Sequence, residues 1–88
     1  MIAIQEGDAL FSELNDISDV ETKCPGVVSG IREWFRWYKT PDDKPLNAFG
    51  YNEEAMPKKF ALEVIEETHG FWKSLKEGKT DKGKLWLA

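Results

Sequence analysis

Two stretches of this chain repeat their apolar residues with the period of an α-helix, and a proline-rich break separates them. In the first, Val27, Val28, Ile31, Trp34, Phe35 and Tyr38 fall on one stripe. In the second, Phe60, Ala61, Val64, Ile65, Thr68, Phe71, Trp72 and Leu75 repeat at i, i+1, i+4, i+5. Between them, Thr40-Pro41-Asp42-Asp43-Lys44-Pro45 ends one helix and makes a turn or loop. Such a pattern restricts the chain to a mainly α fold.

The rest of the chain supplies smaller elements. Met1-Ile2-Ala3-Ile4 is a short apolar run with β-branched residues, so 1–5 is predicted to be a strand. A lone strand needs a partner, either a sheet outside these residues or a second copy. Asn15 or Asp16 caps a short helix over about 16–23, with acids in its first turn that suit the helix dipole. Pro25, at a first helical position, opens a helix over about 25–39. Phe49 and Tyr51 are candidate anchors in an irregular segment. A last helix over about 57–77 starts between Asn52 and Pro57 and stops at Gly78. The tail 78–88 has no periodicity, although Leu85-Trp86-Leu87 is apolar.

At 88 residues the chain is one small domain or part of a larger one. Four Trp, five Phe and two Tyr are a heavy load for a core this small. An incomplete domain would carry such an excess.

The formal charge of −4 argues against general nucleic-acid binding and against an anionic membrane surface. No apolar run approaches the ~20 residues of a membrane span, and the N-terminus lacks the pattern of a signal peptide. A single cysteine, Cys24, suggests a reducing compartment, so the cytoplasm is the expected location.

Few residues invite a chemical reading. Tyr38-Lys39 joins a phenol to an ammonium, the pairing of donor and charge that phosphate recognition uses. The plainer alternative makes Tyr38 a core aromatic and Lys39 a solvated lysine suited to a helix C-terminus. Trp37 stands roughly 110° off the apolar stripe at ~100° per residue, and would pack on a missing sheet or a neighbouring subunit. His69, the only histidine, cannot build a metal site alone and reads as packing. Cys24 reads as a buried or half-buried spacer, since no base is placed beside it. Asp42-Asp43 and Glu53-Glu54 read as solvated loop acids. Asp16, Asp19 and Glu21 fit a helix start better than a cation site.

Several segments in order carry a resemblance. They are Asp19-Val20, Cys24-Pro25-Gly26, Glu33-Trp34-Phe35-Arg36-Trp37-Tyr38-Lys39, Pro41 to Pro45 with Asn47 and Phe49, Lys58-Lys59-Phe60-Ala61-Leu62, and Glu67-Thr68-His69 through Trp72-Lys73-Ser74-Leu75. Together they resemble the C-terminal part of a family I soluble inorganic pyrophosphatase of the eukaryotic type. Departures from the family pattern are Cys24, Trp37 and Pro57.

The resemblance implies that 1–88 is the helical flank of one α+β domain built on an OB-like β-barrel. It implies an enzyme hydrolysing pyrophosphate to two phosphates with Mg²⁺, a homodimer when whole. Tyr38 and Lys39 match the family's phosphate-binding pair. The family's Asp-x-Asp-Pro-x-Asp run, whose carboxylates hold the metal, does not occur in these residues. Neither a catalytic residue nor a metal ligand is therefore expected here, and the chain alone is expected to be inactive. The rival reading is a non-catalytic helical interaction module, or a self-associating fragment, presenting Trp37, Trp86 and the edge at Met1.

Overall fold

The structure, a computed structural model, describes residues 1–87. Three α-helices form, in the order α1 (Ile17–Lys23), α2 (Val27–Trp37) and α3 (Lys58–Lys76). Two 3₁₀ turns, Thr40–Asp42 and Tyr51–Glu53, lie between α2 and α3. The backbone divides into two units, Met1–Lys58 and a second beginning at Lys59.

In the first unit, the expected strand at 1–5 does not form, and no strand occurs among the described residues. The physical reason is that a strand's donors and acceptors need a second strand to bond. Residues 5–14 form successive turns instead. The Asp8 amide donates to the Gln5 carbonyl at 3.1 Å and the Leu14 amide to that of Leu10 at 3.0 Å.

Asp16, not Asn15, caps α1. Its carboxylate accepts from the Ile17 amide at 2.7 Å, while Asp19 reaches back to the Asp16 amide at 3.0 Å. This is a reciprocal capping box that serves amides left open at a helix start. Asp16 Oδ1 also accepts from the Lys58 amide at 2.7 Å. The two amide donors, Lys58 first, hold its pKa below the ordinary value.

The start of α2 differs from expectation. Gly26 has φ +88° and stands at the N-cap, so the helix begins at Val27 and Pro25 lies outside it. A left-handed residue cannot sit inside a right-handed helix, and glycine takes that conformation at little cost. Val28 on this helix is the one side chain in the buried class among the described residues, at 5% exposure.

In the second unit, α3 ends as the sequence suggests. Gly78 has φ +77°, its amide donates to the Leu75 carbonyl at 3.2 Å, and the Lys79 amide donates to that of Ser74 at 2.9 Å. This pair of bonds is a Schellman motif. Phe71, Trp72, Leu62 and Ile65 on α3 are exposed, as is Trp86 in the tail. His69, itself exposed, stacks on Trp72 with ring centroids 5.2 Å apart.

Candidate functional site

Tyr38 and Lys39 meet at the end of α2. The last turn of a helix leaves carbonyls without intrahelical partners, and they must be served from elsewhere. Here the following loop serves them. The Asn47 side-chain amide donates to the Phe35 carbonyl at 2.6 Å, and its backbone amide donates to the Arg36 carbonyl at 3.0 Å. The Thr40 hydroxyl donates to the Trp37 carbonyl at 2.8 Å. The Tyr38 amide donates to the Trp34 carbonyl at 3.0 Å, which makes Tyr38 the C-cap. Lys39 then opens the first 3₁₀ turn, with its carbonyl accepting from the Asp42 amide at 3.0 Å.

The Tyr38 ring is fixed on two sides. It stacks on Trp34 with centroids 5.0 Å apart and planes 9° from parallel. Phe35 meets it edge-on at 5.8 Å. Such contacts hold a ring's plane, and Tyr38 remains 43% exposed. Lys39 Nζ lies 5.4 Å from the centre of the Tyr38 ring, in cation–π range. Among the described residues Lys39 makes no ion pair. A stacked phenol thus stands beside an ammonium that pairs with no carboxylate among the described residues. That arrangement can take an oxyanion, with one O–H donor and one compact positive charge.

A second set of contacts ties the loop to the same helix. Arg36 donates to Glu53 through both terminal nitrogens at 2.7 Å each, and through Nε to Glu33 at 3.2 Å. Its guanidinium also lies 5.6 Å from the Phe49 ring centre. Bonding to Glu53 first, and then to Glu33, raises the Arg36 pKa. Both carboxyl groups are held below their ordinary range by the same guanidinium. Glu53 is therefore half of a bidentate ion pair, not the solvated loop acid its sequence context suggests.

Glu53 reaches Arg36 from an unusual backbone. Tyr51, Asn52 and Glu53 have φ of 55°, 55° and 62°, three successive left-handed residues of which none is glycine. L-residues disfavour this region, so surrounding contacts must hold it.

Other candidates fall elsewhere. Trp37 is 54% exposed, and Trp34 on the apolar stripe is more so, at 61%. Cys24 is half-buried and closes α1, its amide donating to the Val20 carbonyl at 2.9 Å. Asp16 and Asp19 are spent on the helix start. Among the described residues no three His, Cys, Asp or Glu side chains form a group able to hold a metal ion. None of the described helices is long and apolar enough to cross a membrane.

Three comparisons bear on this arrangement. The family model described as "Inorganic pyrophosphatase" matches residues 1–73. The inorganic pyrophosphatase of Emericella nidulans is 48% identical over 88 residues, which are all of this chain and 31% of that protein. The crystal structure of a type I inorganic pyrophosphatase from Toxoplasma gondii superposes with a TM-score of 0.80 at 53% identity, over 83% of this chain and 32% of that one. An N-terminally truncated vacuolar soluble pyrophosphatase from Trypanosoma cruzi, solved in complex with PPi, superposes with a TM-score of 0.81 at 39% identity. That match covers 84% of this chain and 28% of the other. The chain thus spans under a third of the length of these relatives.

Proposed function

The chain belongs to the inorganic pyrophosphatase family, and from that premise we propose that it is one part of an enzyme that hydrolyses pyrophosphate to two phosphates. Tyr38 and Lys39 bind a phosphoryl group in this reading. The observation that carries it is the Lys39 ammonium, without an ion pair among the described residues, beside a Tyr38 ring stacked on Trp34.

The chemistry follows from charge. Pyrophosphate is a polyanion, and cleaving it places further negative charge on the departing phosphate. Fixed donors aimed at that charge stabilise it without reorganising. The Tyr38 hydroxyl donates a hydrogen bond to a phosphoryl oxygen. The Lys39 ammonium sets a compact positive charge against the phosphoryl oxygens. Neither group attacks phosphorus.

Mg²⁺ is the metal of this reading. The described residues offer no cluster to hold it, and in this reading its ligands belong to the remainder of the enzyme. Residues 1–5 become a strand once a barrel sheet supplies their partner, and α2 and α3 form the helical flank of that barrel. The whole enzyme is a cytoplasmic homodimer. The exposed apolar side chains Trp34, Phe35, Ile31 and Val27 on α2 support assembly with more chain.

Phosphate release from pyrophosphate and Mg²⁺ tests the proposal. The full-length enzyme carrying these residues turns over, and the 88-residue chain alone does not. Robust turnover by the short chain would overturn the assignment of the metal site elsewhere. Wild-type KM in a Tyr38→Phe, Lys39→Met double variant would overturn the role of the pair.

A further inference from the structure

The geometry points to Asn47 as the positioning residue for the phosphate-binding pair, the side chain that closes the end of α2 and so fixes where Tyr38 and Lys39 stand. The inference rests on the proposed phosphate role of that pair.

Asn47 contributes two bonds to successive carbonyls. Its side chain meets Phe35 at 2.6 Å and its backbone meets Arg36 at 3.0 Å, one turn before the pair. Thr40 holds the next carbonyl, that of Trp37. The carbonyls of 35, 36 and 37 are thus all engaged from the loop. Without the loop they would be hydrated, and a helix end left to water frays. The first residues to feel fraying are the last two, Tyr38 and Lys39.

The residue type at 47 matters. An asparagine amide carries the N–H that a helix-end carbonyl requires. Aspartate has the same shape, but it aims a charged acceptor at the Phe35 carbonyl and at the negative end of the helix dipole. It replaces an attraction by a repulsion with almost no change in volume. Among the described residues Asn47 makes its hydrogen bonds to helix carbonyls and none to the Tyr38 or Lys39 side chains, so it acts through the backbone. Displacing a binding group by about 1 Å costs up to about 100-fold in rate.

The test uses the full-length enzyme with Asn47→Asp, Asn47→Ala and Asn47→Gln, beside Tyr38→Phe and Lys39→Met. Two readouts are taken, the inhibition constant of inorganic phosphate and the melting temperature. Asn47→Asp is expected to weaken phosphate inhibition about tenfold, Asn47→Ala less, and Asn47→Gln to recover part of it by restoring the donor. A purely structural residue would lower the melting temperature and leave the phosphate constant of the folded enzyme unchanged. That result in Asn47→Asp, with Lys39→Met still weakened, overturns the inference. Unchanged phosphate inhibition in Tyr38→Phe and Lys39→Met overturns the reading beneath it instead. Should Asn47→Asp fail to fold, Asn47→Ala carries the same comparison, and unchanged inhibition in it counts equally against the inference.

Discussion

Arg36 and Glu53 meet in a bidentate ion pair, each terminal nitrogen 2.7 Å from its own carboxylate oxygen, across 17 residues of chain. The pair closes the loop between α2 and α3 onto the helix that carries Tyr38. Parallel double bonding suits a planar guanidinium and cannot be made by lysine. Glu53 is also the last residue of the left-handed turn, so the ion pair opposes that turn's backbone preference. Arg36→Lys is expected to release the loop while keeping the charge. Amide hydrogen exchange checks this. Protection at Asn47 should fall at least severalfold in Arg36→Lys, with protection inside α1 unchanged.

The same pair makes the loop acid-sensitive. Bonding to Arg36 lowers the pKa of Glu53 from an ordinary 4.5, and that of Glu33 likewise. A carboxyl group depressed in the folded state contributes stability that is fully present above its unfolded pKa. That contribution is lost as pH falls through the folded value. The loop should therefore be indifferent to pH above about 4.5 and should open progressively below it. The Arg36 side-chain N–H signals in a pH titration report the opening. Glu53→Gln should show a loose loop at every pH and lose most of this acid response. A wild-type response persisting in Glu53→Gln would place its origin elsewhere.

Asp16 sets a second acid-sensitive point. One carboxylate oxygen serves two amides, that of the adjacent Ile17 and that of Lys58, 42 residues along the chain from Asp16, at 2.7 Å each. Its pKa is lowered, so the sign is the same, and this contribution fades as pH drops below its ordinary 3.8. Asp16→Ala removes the acceptor of both bonds and should lower the melting temperature by several degrees. Asp16→Asn keeps the acceptor without its charge and should lie between. Equal melting temperatures for Asp16→Ala and wild type would mean that the cap contributes nothing measurable.

How much of this the sequence discloses depends on the range of each contact. The α3 pattern from Phe60 to Leu75 is legible because helical period is local, and Gly78 marks its end for the same reason. Asp16 is recognisable as a cap within a few residues. Pro25 misleads, because the proline signal for a first turn also fits the position before a glycine cap, and φ at Gly26 decides between them. The strand at 1–5 is a pattern whose partner these residues do not contain. Asn47 and Glu53 stay hidden for another reason. Their contacts run back 11 to 17 residues to the helix end, and Glu53 makes its contact from a left-handed turn that no glycine announces. Asn47 is visible in sequence solely as part of a family resemblance. Tyr38 and Lys39 are legible as types, but the stacking of Tyr38 on Trp34 and the placing of the Lys39 ammonium beside its ring are facts of the fold.

In the full-length enzyme the two members of the pair should fail differently. Lys39→Met removes a charge from a charge-assisted contact, and a loss in kcat/KM of about 10- to 100-fold is expected. Tyr38→Phe keeps the ring on Trp34 and removes only the hydroxyl, so a smaller loss of about fivefold follows from a neutral hydrogen bond. Raised ionic strength should weaken wild-type substrate binding more than that of Lys39→Met, because screening acts on the charge that the variant lacks. Steady-state kinetics at two salt concentrations measures both. Equal salt dependence in the two proteins would mean that Lys39 does not face the substrate.

Two glycines of α2 should respond to alanine with opposite signs. Gly26 has φ +88° and open space where a Cβ would stand, so nothing but its backbone conformation opposes a side chain. Gly26→Ala forces an L-residue into the left-handed region and should destabilise the helix start by about 1–2 kcal/mol. Gly30 stands inside the helix, φ is not positive, and a Cβ there also meets open space. Gly30→Ala removes backbone freedom from the unfolded chain and should stabilise by about 1 kcal/mol. Urea titrations of the 88-residue chain, followed by circular dichroism, read both midpoints. Destabilisation by Gly30→Ala in the short chain would contradict the open space. If the variant is stabilised in the short chain but destabilised in the full-length enzyme, the rest of the enzyme approaches α2 at Gly30. That result would locate on this helix the surface against which the barrel is proposed to rest.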